Sequence, residues 1–189
     1  MSLTLPKILS TRWSTKTQST EALQLEFSNG ARREFFRVHP AGHGSVLVVA
    51  VQDNQVLLTR EYACGFHRYE LGLPRGHIDD GESPVEAANR ELQEEAGFAA
   101  RELTLLRTLS LVPTYMSHQI HVVLAQDLYE SQLPGDEPEP IEVIRYPMQA
   151  LEALALHEEF SDGRALGALL AARAWLQGFR NSTELVQPQ

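Results

Sequence analysis

The chain has 189 residues, 43% hydrophobic and 22% charged. That is the mix of one soluble globular domain with a small appendage, and it excludes a disordered chain. Lys and Arg number 16 against 25 Asp and Glu, a formal charge of −9, which argues against a nucleic-acid partner, since phosphate recognition needs a basic footprint. A single cysteine, Cys64, excludes an internal disulfide and fits a reducing, cytoplasmic setting. The longest apolar run, residues 46–51, is far too short to span a bilayer, and the N-terminus has no signal-peptide run, so no membrane partner is expected.

In chain order, residues 1–20 are polar and unpatterned, a loose arm. Residues 21–27 and 31–38 read as two strands around Ser28-Asn29-Gly30, a hairpin with an Asn-Gly turn. Pro40, Gly42 and Gly44 then interrupt the pattern, which sets off a small β subdomain at 1–43. Residues 46–51 are apolar on both faces and rich in valine, as a central strand requires. A turn at 52–55 leads into a second strand over 56–62. Residues 103–111, 119–125 and 141–146 are further strands. Helices are expected over 148–156 and 164–177, ahead of a tail at 181–189. The order of elements is mixed α and β, a sandwich rather than a regular βαβ array, and assigns the main domain to 44–180.

One helix carries the chemistry. Ser83-Pro84-Val85-Glu86 is a capping box with proline at the first helical position, and Gly97 is placed as the stop, so the helix runs over 84–96. Val85, Ala88, Leu92 and Ala96 form a narrow apolar stripe toward the core. Glu91, Glu94 and Glu95 lie beside that stripe, at spacings where like charges repel by roughly a few tenths of a kcal/mol per pair. A solvated acidic face would share this spacing. Against it, Glu91 and Glu95 border the buried stripe, and neighbouring Ala87 is small enough to leave room for a ligand. Three convergent carboxylates in a partly dry site want a hard divalent cation, Mg²⁺ or, as an alternative, Mn²⁺. Arg90, four residues before Glu94, can pair with it.

Gly76, Glu82 and the run Arg90-Glu91-Leu92-Gln93-Glu94-Glu95-Ala96-Gly97 match every fixed position of the Nudix box, and only the last, Phe98, departs from the usual aliphatic residue. The sequence therefore resembles the Nudix hydrolases. The resemblance implies an α/β/α sandwich with a mixed sheet, and hydrolysis of a nucleoside diphosphate linked to another group. Carried over by position, Glu91, Glu94 and Glu95 are the expected metal ligands, joined by the backbone carbonyl of Arg75 and supported by Glu82. A carboxylate near the metals would take a proton from the attacking water. Gly76 is expected to supply the backbone freedom that lets its loop fold back on the helix.

Other segments narrow the substrate. Pro113 stands where ADP-ribose pyrophosphatases typically carry proline, and Tyr115 where diadenosine polyphosphate hydrolases typically carry tyrosine. Residues 127–146 resemble the acidic loop of ADP-ribose pyrophosphatases, which implies a general base in Gly135-Asp136-Glu137-Pro138-Glu139-Pro140; Glu139 is the first choice and Glu137 the second. Arg60-Glu61-Tyr62 and Tyr69-Glu70-Leu71-Gly72 also fit that pattern, which makes Arg60, Arg75 and Glu70 candidate substrate contacts, guanidinium groups being suited to phosphates. The implied substrates are ADP-ribose, diadenosine oligophosphates and NADH. Alternatives are an enzyme mainly for dinucleoside polyphosphates, and a module that senses ADP-ribose without turnover. The resemblance also implies a homodimer through the N-terminal subdomain, whose Leu23, Leu25, Phe27, Phe35 and Phe36 exceed what a short hairpin buries alone. The charge is concentrated: the box carries −6 and residues 130–142 carry −5, leaving +2 for the remainder.

Overall fold

The structure, a computed structural model, describes residues 4–10, 18–40 and 42–180. Part of the expected N-terminal arm and the whole expected tail at 181–189 lie outside the described residues. β1 (Gln18–Glu26) and β2 (Arg32–Pro40) pair antiparallel as a sheet of their own. The turn is one residue longer than an Asn-Gly pair. Phe27 N–H donates to Ala31 O (2.9 Å), Gly30 N–H donates to Phe27 O (2.8 Å), and Gly30 sits at φ +79°, the three-residue hairpin with glycine in the left-handed position. The hairpin joins the rest of the chain where Val38 N–H donates to Tyr115 O at 2.8 Å and Ser117 N–H to Val38 O at 3.2 Å.

The main sheet has seven strands: β3 (Ser45–Gln52), β4 (Gln55–Ala63), β5 (Arg68–Gly72), β6 (Arg75–His77), β7 (Phe98–Ser110), β8 (Gln119–Glu130) and β9 (Glu142–Pro147). Their order is β5-β4-β3-β8-β7, with β6 on β3 and β9 on β4. Strand β3 runs parallel to β8 but antiparallel to β4 and β6, so the sheet is mixed. Asp53 (φ 51°) and Asn54 (φ 60°) close the β3–β4 hairpin, both in the left-handed conformation that asparagine and aspartate tolerate best.

Helix α1 (Pro84–Ala96) covers one face, where Ala87, Ala88, Leu92 and Ala96 pack with Val46, Val48, Leu57 and Val123. The opposite face packs Leu47, Val49, Leu58 and Val122 with Ala165, Ala168, Leu169 and Ala172 of α3 (Gly163–Leu176). Strand β3 is apolar at consecutive positions because both its faces are covered. This is an α/β sandwich with helices on both sides of a mixed sheet and a small N-terminal β hairpin. No helix among the described residues is long and apolar enough to cross a membrane.

Local departures from the sequence reading have local causes. The expected helix over 148–156 is a 3₁₀ turn, Met148–Ala150, followed by the single-turn α2 (Leu151–Leu154). Its buried residues Met148, Leu151 and Leu154 are spaced by three, which suits the tighter turn. Strand β7 starts at Phe98, directly after the helix stop, where buried Ala99 and Ala100 give no strand-like pattern. β5 and β6 are too short to show a period. Residues 127–130 belong to β8 and 142–146 to β9, so the acidic connection shrinks to 131–141. Ala87 is fully buried in the core; it leaves no room for a ligand, because the sheet fills that side of the helix.

Candidate active site

The helix ends are fixed by their caps. Ser83 Oγ accepts from Glu86 N–H, Glu86 Oε2 accepts from Ser83 N–H at 2.9 Å, and Gly97 closes the helix at φ +74°. This anchoring sets which residues of α1 face the β6 edge. Gly76 of β6 lies directly against Glu91: a Cβ there would stand 2.0 Å from the Glu91 carboxyl carbon. Gly76 is not among the residues at positive φ. Its glycine is therefore required for space rather than for backbone freedom, which corrects the expectation from sequence.

Glu91 and Glu95 are 8% and 6% exposed, and with Thr59 they form the buried polar set among the described residues. Burial pushes both carboxyls up, Glu95 to about 9, with the nearby Glu61 carboxylate adding to the effect. Glu95 Oε2 accepts from Arg75 N–H at 2.9 Å. Arg90 is the counter-charge. It donates to both oxygens of Glu82 (2.9 Å each), to Glu91 Oε1 (2.7 Å), to Glu94 Oε2 (3.0 Å) and to the His77 carbonyl (2.9 Å). The Arg90 bonds and the Asp79 N–H hold the Glu82 carboxyl below its ordinary range, while the same anions keep the guanidinium protonated.

Among the described residues no three carboxylate, imidazole or thiol groups converge on one point; Arg90 draws Glu91 and Glu94 to itself, and Arg75 holds Glu95. The donor set still fits a hard divalent cation. It is all oxygen, and two of its carboxylates are buried at a free-energy cost that a bound cation would offset.

Residues 131–141 arch over this end of the helix. Glu94, Glu95, Gln132, Gly135, Glu137 and Glu139 are among the residues lining an open cleft of about 420 Å³. Glu137 is half-buried, and its charge reaches Glu91. Glu139 is exposed and accepts from Tyr69 O–H at 2.7 Å. A smaller cavity of about 100 Å³ adjoins, lined by Arg60, Glu61, Tyr62 and Tyr69 together with the loop.

The other candidates separate. Arg60 reaches that smaller cavity but is tied to Glu142 and Glu159, each at 3.1 Å. The Arg75 side chain lies 2.6 Å from Glu61. Glu70 faces Arg68 and Ser161 and lines neither cavity. Pro113 and Tyr115 belong to the β7–β8 connection, where the Tyr115 carbonyl receives the hairpin, and neither lines the two cavities. Sequence reasoning gave Glu61 no role, yet it is the second cause of the raised Glu95 carboxyl. An acid in strand register with Leu57 and Thr59, four and two residues on along the same face, was the available signal.

Comparison with known proteins agrees with this architecture. Residues 42–166 match the NUDIX domain, and residues 6–37 match the NudE-type Nudix hydrolase N-terminal domain. The chain is 44% identical to the ADP compounds hydrolase NudE of Escherichia coli (strain K12), over 94% of this chain and 96% of that one. It is 29% identical to the ADP-ribose pyrophosphatase of Bacillus subtilis (strain 168), over 79% and 80%. A crystal structure of an ADP compounds hydrolase superposes with a TM-score of 0.80 at 44% identity, covering 94% of this chain and 97% of that one. That shared architecture, carried over nearly the whole of both chains, makes the protein a member of the Nudix hydrolase family.

Proposed function

We propose that this protein is an Mg²⁺-dependent pyrophosphohydrolase of ADP-ribose and related ADP compounds, among them diadenosine oligophosphates and NADH, releasing AMP and the remaining phosphorylated moiety. The observation that carries the reading is a pair of buried helix carboxylates, Glu91 and Glu95, of which Glu95, with neighbouring Glu94, opens onto an acidic cleft beneath a loop that bears two further glutamates. Glu91, Glu94 and Glu95, with the Arg75 carbonyl, would hold the metal. When bound, the cation supplies charge neutralisation for the pyrophosphate and a more acidic water. Glu82 does not enter the cleft; it orients Arg90, which in turn fixes Glu91 and Glu94. Glu137 is the general base of choice because it is half-buried and close enough to Glu91 to shift it, whereas the Glu139 carboxylate is held by Tyr69. This reverses the order read from sequence. Arg60 lines the cavity beside the loop and suits the nucleotide phosphates or base.

The assembly reading is a homodimer in the cytoplasm. Phe27, Phe35 and Phe36 of the hairpin are 45%, 45% and 61% exposed, a patch suited to a second copy. The test is direct: incubate the protein with Mg²⁺ and, separately, ADP-ribose, diadenosine triphosphate, NADH and ADP-glucose, then separate the products. AMP and ribose 5-phosphate from ADP-ribose are expected. Turnover of diadenosine triphosphate alone would replace this reading with a dinucleoside polyphosphate hydrolase, and no turnover of any ADP compound would refute the proposed function.

A further inference from the structure

We infer that Tyr69 is a positioning residue, whose hydroxyl clamps the acidic loop closed by holding Glu139 and so sets Glu137 over the helix carboxylates. The inference rests on the reading of Glu137 as base.

The loop is anchored unequally. Its root is bonded to the last turn of α1. Ser131 N–H donates to Gly97 O (3.1 Å), Ser131 Oγ to Gln93 Oε1 (2.8 Å), Gln132 Nε2 to Glu94 O (3.1 Å) and Leu133 N–H to Gln93 O (3.4 Å). Beyond this root, among the described residues, one hydrogen bond joins residues 134–141 to the rest of the protein, and it is Tyr69 to Glu139. Glu137 lies between the two anchors. The root and β9, which begins at Glu142 and pairs with β4, hold the two ends, so the span between them can bow away from the cleft; the bond at Glu139 removes that freedom.

Tyr69 is built for the task. A tyrosine hydroxyl has one proton to give. It points to Glu139 Oε1 at 2.7 Å, with the Thr4 carbonyl a distant second at 3.4 Å. A carboxylate acceptor makes this bond charge-assisted and stronger than a neutral one. The ring is braced edge-on by Tyr62 at 6.1 Å, and Tyr62 is itself fixed through its hydroxyl to His67 Nδ1 at 2.7 Å. The clamp therefore starts from the paired strands β4 and β5 and ends on the loop. Glu139 thereby acts through the loop instead of on the water.

The test compares Tyr69→Phe, Glu139→Ala, Glu139→Gln and the double variant Tyr69→Phe/Glu139→Ala, in full-length protein with Mg²⁺ and ADP-ribose. Tyr69→Phe lowers kcat about tenfold with KM within about twofold, the ratio for losing one charge-assisted bond. Glu139→Ala falls as far, and the double variant falls no further than either. Glu139→Gln, whose amide oxygen still accepts the proton, recovers most of the lost rate. Backbone amide order parameters at Gly135, Asp136 and Glu137 fall in Tyr69→Phe while those of Ser131 and Leu133 hold. Additive losses in the double variant, or order parameters at 135–137 equal to wild type in Tyr69→Phe, overturn the clamp. So does a Glu139→Gln variant as slow as Glu139→Ala, which would make Glu139 the base. Full kcat in Glu137→Gln would remove the base reading instead, and the order parameters would then judge the clamp by themselves.

Discussion

Replacing Gly76 by alanine tests the arrangement of the whole site with one methyl group. The added Cβ would sit 2.0 Å from Cδ and Oε1 of Glu91 and 2.3 Å from Oε2, where comfortable carbon contacts need about 3.5–4.0 Å. Something must retreat by roughly 1.5 Å. The strand cannot do so cheaply, because β6 is paired with β3 at Val46 and its neighbours. Glu91 is the softer side, but moving it breaks its 2.7 Å bond with Arg90 and takes a proposed metal ligand out of place. Overpacking of this kind destabilises by about 1–3 kcal/mol, and a misplacement near 1 Å lowers turnover by about 10²-fold. Urea unfolding and ADP-ribose hydrolysis with Mg²⁺ measure the two effects. Gly65→Ala is the control, since nothing lies within 4 Å of its Cβ and its φ is not positive. A Gly76→Ala protein hydrolysing within about twofold of wild type would refute the reasoning, because Glu91 could then not be both held where it is and needed there.

Glu95→Gln should abolish turnover and also change the pH dependence of stability. Burial holds the folded carboxyl near 9 against an ordinary value of 4.5, so the folded protein keeps a proton that the unfolded chain loses. Its contribution is full below about pH 4.5 and is lost as pH rises through about 9. Glutamine does not titrate, so in chelator the variant gains on wild type between pH 5 and pH 9; a constant difference across that range would be the contrary result. EDTA should remove activity and Mg²⁺ restore it, with proton release on metal addition at neutral pH; full activity in chelator would exclude the metal-dependent reading. Leu92→Ala, at a fully buried position between α1 and the sheet, should cost about 2–5 kcal/mol in urea unfolding, and a loss below about 1 kcal/mol would place Leu92 outside the tight core.

The helix was legible in the sequence to the residue, because its signals are local: Ser83, Pro84 and Glu86 cap it and Gly97 stops it within the same short stretch. β3 was equally plain, being apolar at consecutive positions. The strands over 68–72 and 75–77 were not, since pairing with β4 and β3 makes them strands and no internal period does. The same holds within the site. Spacing brought Glu91, Glu94 and Glu95 to one side of a helix, but Ala87 looked open until the sheet was laid against it. Glu61, from a distant strand, was recognisable as a neighbour of Glu95 only after folding.

By itself, then, the sequence determined the family, the acidic helix and the segments where the negative charge collects, because these are written in contiguous residues and local hydrogen bonding. Tertiary structure decided which acids are buried, that Gly76 serves space instead of flexibility, and which loop glutamate is held by a tyrosine. Those properties depend on what packs against each group from elsewhere in the chain. The net charge of −9 records how many carboxylates there are. Only the fold decides that Glu91 and Glu95 are desolvated, that Arg90 answers Glu91 while the Arg75 N–H bonds Glu95, and that Glu139 is taken by Tyr69.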